Sequence, residues 1–261
     1  MGPVVRWLAG LTLVFVSLPA IVVLVSSFSA GRVLSFPPDG FSLSAYGDLL
    51  GNETVRDALL RSLTVGGEAV LLSIIVGVPA SLALFRHRVR YSIVFAAYLL
   101  LGVSIPLIAS GFAFLVLFTE AGVLGSLWPV SIAITIVNLP FLLFSLASAL
   151  AHLDPRLEQA SATLGAERIQ TFLFVTLPGL MPGIISGSIL VFVLGITEFL
   201  LSLLLTTVDS QTLPVVIFGS LRGPVPPLLA AAAGVYLLIS IVVVFAITNL
   251  RSTGAFLYRS E

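Results

Sequence analysis

The chain has 261 residues, 58% hydrophobic and only 9% charged, with zero formal net charge. A typical globular chain is about 45–50% apolar and about 25% charged. Twelve arginines and twelve acids, with no lysine, are too few to solvate a soluble exterior, so a soluble single-domain enzyme is excluded. Zero net charge gives nucleic acid no footing, and the absence of cysteine excludes disulfides, thiol chemistry and Cys-ligated metal.

The charges are also segregated. Uncharged runs of 25, 17, 29, 33, 29 and 28 residues follow Arg6, Glu68, Arg90, Glu120, Arg168 and Arg222. A membrane-spanning helix needs about 20 mostly apolar residues to cross about 30 Å of hydrocarbon. Six runs meet or nearly meet that length. The expected fold is all-α, a polytopic membrane protein with six transmembrane helices in one domain over residues 1–261. The spans are expected at 6–28, 63–85, 91–118, 127–149, 179–206 and 225–249. Transmembrane strands would instead show alternating segments of about 10 residues.

In chain order, the apolar run from Trp7 to Val25 exceeds the roughly 7–15 residues of a signal-peptide core, so it reads as an uncleaved first span. Residues 29–62 form a long connection with a turn at Pro37-Pro38-Asp39-Gly40 and a short interfacial helix within Ser42–Leu60. Spans two and three are joined by a tight turn carrying Arg86, Arg88 and Arg90. With the N-terminus inside, that side also receives Arg6, Arg156, Arg168, Arg251 and Arg259, against Arg32, Arg56, Arg61 and Arg222 outside. The asymmetry predicts cytoplasmic N- and C-termini.

Residues 150–178 are the second long connection, and they fall on the cytoplasmic side. Asp154 is a good N-cap and Pro155 suits the first helical position. Leu157, Ala160 and Leu164 then form one apolar stripe, and Gly165 suits the left-handed residue that ends a helix. A second segment, Glu167–Thr176, runs into Leu177-Pro178 and the next span. Helices that lie on lipid are rich in Lys and Arg on their polar face. This one shows Glu158, Gln159 and Thr163, which favours a protein partner.

The run Gln159-Ala160-Ser161-Ala162-Thr163-Leu164-Gly165-Ala166, followed after nine residues by Thr176-Leu177-Pro178, resembles the signature loop of binding-protein-dependent ABC importer permeases. That loop reads Glu-Ala-Ala, three residues, Gly, nine residues, Ile-x-Leu-Pro. Here Gln159 stands at its leading Glu, with Glu158 next to it, Ser161 at its second Ala and Val175 at its Ile. The stretches Phe41–Tyr46, Ser62-Leu63-Thr64 and Ser104-Ile105-Pro106 are similar to the second permease of spermidine/putrescine-type systems. Permeases for iron, phosphonate and related solutes share that look.

The resemblance implies a type I importer permease in a bacterial cytoplasmic (inner) membrane, forming half of a solute pathway beside a second permease, in a heterodimer. Two ATPase subunits would dock on the coupling loops, and an external solute-binding protein would deliver substrate. ATP and Mg would sit on the ATPase partners, with no cofactor on this chain. The coupling residues would be Leu157, Glu158, Gln159, Ala160, Ser161, Leu164, Gly165, Ala166, Leu177 and Pro178. Independently of family, a phosphate-binding P-loop requires lysine, and this chain has none. Any ATP hydrolysis must come from another polypeptide.

Ionisable groups inside a span are costly and mark functional pathways. Glu198 is the leading candidate, in the outer half of span five, where a carboxylate suits an amine substrate such as a polyamine. Ser110 and Asn138 are mid-span polar groups that could line the pathway or join helices. Glu68 and Glu120 are expected at the outer ends of spans two and three, and Gly183-x-x-x-Gly187 is a close-packing face. His87 and His152 are far apart at membrane boundaries, so neither a metal site nor a catalytic residue is expected. A standalone secondary transporter and a permease for another small solute remain alternatives.

Overall fold

A computed structural model describes residues 3–86, 94–95, 97, 104–223 and 225–257. The regular elements are helical: α1 (Pro3–Ser26), α2 (Ser44–Gly51), α3 (Glu53–Arg86), α4 (Leu107–Glu120) and α5 (Trp128–His152). They continue with α6 (Pro155–Thr163), α7 (Arg168–Ile196), α8 (Leu200–Leu205), α9 (Leu213–Ser220) and α10 (Pro227–Leu257). Of these, α1, α3, α5 and α7 are long and apolar enough to cross a membrane, while α4 and residues 227–243 of α10 are shorter apolar helices.

Three expectations need correction. The helix that carries the second span does not begin at residue 63, and no interfacial helix reaches Leu60. Instead α2 stops at Gly51, and Asn52 accepts the Val55 N–H on its Oδ1 (3.1 Å), starting α3 ten residues early. The third span is not one helix over 91–118, because Pro106 has an extended ψ of 125° and α4 starts only at Leu107. Proline disfavours helical backbone in the residue before it, which here is Ile105. The Arg88 and Arg90 turn, His87, and most of residues 87–103 lie outside the described residues. The fifth span is not continuous over 179–206: its helix begins at Arg168, ends at Ile196, and resumes at Leu200.

The chain divides into two compact units. In the first, residues 1–60 with 215–242, the segment after α1 is tied by an antiparallel bridge between Ser29 and Phe41. The Ala30 N–H donates to Gly40 O (2.9 Å), and the Ser27 and Tyr46 hydroxyls bond at 2.7 Å. Gly234 of α10 leaves room for Tyr46, whose hydroxyl would lie 3.2 Å from an added Cβ.

The second unit, 61–214 with residues from 243 onward, holds the main core. Val65 and Ala69 of α3, Ile134, Leu142 and Leu146 of α5, Leu180 and Val191 of α7, and Leu201 and Leu205 of α8 are buried together. The most extensive packing joins α5 and α7. Gly183 and Gly187 make it possible. A Cβ at Gly183 would sit 2.7 Å from Ala149 Cβ, and one at Gly187 would sit 2.9 Å from Leu142 Cα.

Candidate functional site

The loop between α5 and α7 is built by capping chemistry. Asp154 takes extended backbone (ψ 120°), and its carboxylate accepts the Arg156 N–H at 2.9 Å, with Pro155 in the first turn. Helix α6 ends in a Schellman arrangement. The Gly165 N–H donates to Ala162 O (3.0 Å) and the Ala166 N–H to Ser161 O (3.1 Å) around a left-handed Gly165 with φ 83°. A capping box follows at once, with the Glu167 N–H donating to the Gln170 side chain at 2.9 Å. The expected short helix, its cap and its terminating glycine are all present.

Glu158 points back into the chain. Its Oε2 accepts from Arg86 Nε (3.0 Å) and Nη2 (2.7 Å), and its Oε1 accepts the Thr176 hydroxyl (2.8 Å). The pair is shielded, with side chains 14% and 25% exposed. Arg86 Nη1 also reaches Leu153 O at 3.5 Å, and Ser161 and Thr171 join hydroxyls at 3.0 Å. Beside these groups lies a cavity of about 510 Å³. Leu157, Gln159, Ala160 and Leu164 are exposed, and Leu164 is 88% accessible at the tip. Ser161 and Ala166 are half-buried, Leu177 packs on the core, and Pro178 is exposed within α7, just past its π turn. The loop thus offers an apolar tip on a polar, internally bonded base.

The three pathway candidates lie on separate elements. Glu198 sits in the break between α7 and α8, half-buried, and its Oε1 accepts the Leu201 N–H at 3.1 Å. Ser110 is half-buried in the first turn of α4, and Asn138 is buried within α5. Among the described residues no hydrogen bond joins any two of them. Glu120 is exposed at the end of α4, and His152 is exposed with Nδ1 2.7 Å from Ser148 O. The described residues contain no group of three or more potential metal ligands.

Helix α3 begins at Glu53, ahead of the expected span, so Glu68 lies near the middle of a 34-residue helix. There it accepts the hydroxyl of the fully buried Ser131 at 2.6 Å. The signal for its position was Asn52-Glu53, which is good helix-start chemistry inside a stretch whose charges otherwise read as loop.

Long apolar helices with an Asp-Pro-capped, glycine-ended loop before α7 define a class: a multi-pass membrane protein. A solved bacterial ABC transporter involved in import of the acidic polysaccharide alginate matches with a TM-score of 0.67 at 19% identity. The match covers 96% of this chain and 94% of that one. Residues 69–252 match the model of the binding-protein-dependent transport system inner membrane component family, and the chain belongs to that family of ABC importer permeases.

Relatives include a spermidine/putrescine transport system permease protein, PotC, of Haemophilus influenzae, 28% identical over 88% of this chain and 89% of its own. The putrescine permease PotI of Escherichia coli is 30% identical over 84% and 80%. A putative 2-aminoethylphosphonate permease, PhnV, of Salmonella typhi is 33% identical over 80% of each. All are transport permease components, in keeping with a non-catalytic membrane subunit.

Proposed function

We propose that this chain is one of two permease subunits, forming half of the solute pathway of an ATP-driven importer in a bacterial inner membrane. It crosses that membrane six times as a single domain, with both termini in the cytoplasm. Two separate ATPase subunits, carrying ATP and Mg, dock on the 154–178 loops of the permease pair, and an external binding protein supplies the solute. The observation that carries the reading is the α6 loop, a rigidly capped helix with an exposed apolar tip at Leu157 and Leu164 in a chain with no lysine for a P-loop. The family gives no support to a standalone secondary transporter.

The substrate is a small amine-bearing solute, and a polyamine fits best. Glu198 supplies a half-buried carboxylate at a helix break, with Ser110 and Asn138 as further polar pathway groups. The phosphonate relative favours a second reading, in which the solute is an aminoalkylphosphonate and Glu198 meets only its ammonium end.

Leu164→Asp tests the coupling reading. Placing a carboxylate on the exposed tip should strip the co-expressed ATPase from the purified complex and abolish uptake in liposomes. Full ATPase retention with normal uptake would refute it.

A further inference from the structure

Two of the long helices contain a π-helical turn, at Leu82–Arg86 of α3 and Phe172–Thr176 of α7. Such turns are rare, well under about 1% of residues, and are concentrated at functional sites. Here both end on a residue that bonds the same carboxylate: Arg86 closes the first turn, Thr176 closes the second, and Glu158 takes both. The extra residue of each turn rotates its last side chain relative to an unbroken α-helix, which aims it at α6. The Glu158–Arg86 bonds are the only hydrogen-bonded link between α6 and α3 among the described residues. Helix α7 needs no such link to follow α6, since only Leu164–Glu167 separates them. Helix α3 lies 72 residues away in sequence at Arg86.

We propose that Arg86, Glu158 and Thr176 are positioning residues for transport, a clamp through which displacement of α6 drives α3 together with α7. This rests on the reading of α6 as the ATPase-docking helix. Charge-assisted bonds in a shielded site are strong enough to transmit such motion, and the half-buried setting protects them from salt. Helix α3 carries Glu68 at mid-length, bonded across to Ser131 of α5, so moving α3 alone would part that polar contact. One carboxylate thus ties the loop to a helix whose own acid, Glu68, is bonded across to α5.

The test uses the complete transporter, with partner permease, ATPase and binding protein, in liposomes. Solute uptake and ATP hydrolysis are measured together, so that the readout is solute carried per ATP. Arg86→Gln and Glu158→Gln should each lower that ratio about tenfold, the scale of a lost charged hydrogen bond. The swapped double variant Arg86→Glu with Glu158→Arg should recover it to within about threefold of the parent. Thr176→Val is nearly isosteric and loses one hydroxyl; it provides a variant that keeps the fold and should lower the ratio about two- to threefold. An unchanged ratio in both single variants would overturn the proposal. So would a lowered ratio that the swap leaves unrestored, since the two side chains would then not act as a pair. The ATPase retained by Arg86→Gln and lost by Leu164→Asp separates failure of the clamp from failure of the docking reading.

Discussion

Gly183→Ala adds a methyl where α7 lies directly against the backbone of α5. That methyl would lie 2.7 Å from Ala149 Cβ, 2.8 Å from Ser145 O and 3.3 Å from Leu146 Cα. Carbon pairs are comfortable at about 3.5–4.0 Å, and none of these three atoms is the free end of a flexible side chain. Relief therefore requires α5 and α7 to separate by on the order of 1 Å, opening the Leu142–Leu146–Leu180–Val191 core. Overpacking of this kind costs about 1–3 kcal/mol, and this site belongs at the upper end. Alanine returns about 1 kcal/mol of helix propensity, leaving a net loss of about 1–2 kcal/mol. For a chain of this size each kcal/mol lowers Tm by about 2–4 °C, so detergent-solubilised protein should melt about 2–8 °C lower. Gly67→Ala is the control, because a Cβ there meets nothing within 4 Å. It should be neutral or raise Tm slightly. If Gly183→Ala melts at or above the parent, as Gly67→Ala should, the inferred closeness of the two helices is wrong.

Further substitutions address Glu198 at the helix break and the Glu68–Ser131 contact. Glu198→Gln keeps an oxygen for the Leu201 N–H while removing the charge, so it should preserve Tm yet lower uptake of a dicationic amine about tenfold; unchanged uptake would remove Glu198 from the pathway. Ser131→Ala leaves the Glu68 carboxylate without its buried donor and should cost about 1–3 kcal/mol. Adding Glu68→Gln should relieve part of that loss in a double-mutant cycle, and strict additivity of the two changes would argue against the contact.

The loop was the most legible part of the chain because its instructions are local. Asp154, Pro155 and Gly165 each act on backbone groups within a few residues, so cap, first turn and stop could be read in order. The Gly183 and Gly187 spacing was legible for a similar reason, although its partner α5 was not. Hydropathy failed where helix and membrane span part company. Glu53, Arg56, Asp57 and Arg61 read as a loop by charge, yet they occupy the first turns of α3, so the helix starts well before its apolar stretch. The break at Thr197–Phe199 was hidden for the opposite reason, since apolar residues continue on both sides of it. The Glu158–Arg86 bond joins positions 72 apart, and no spacing rule in one sequence brings those two side chains together.

The two π turns also make the loop sensitive to counting. A π turn is an α-helix holding one surplus residue, and each residue of an α-helix is worth about 100° of rotation. Substitutions among Leu82–Phe85 leave that count intact, so the guanidinium of Arg86 keeps its heading. Rewinding Leu82–Arg86 as ordinary α-helix would swing Arg86 about a quarter-turn away from Glu158, whereas removing one of the residues before it along with the π turn would nearly restore its heading. The same holds for Phe172–Val175 and the hydroxyl of Thr176. At these two places the heading of a side chain is set by how the backbone is wound, and not only by which residue stands there.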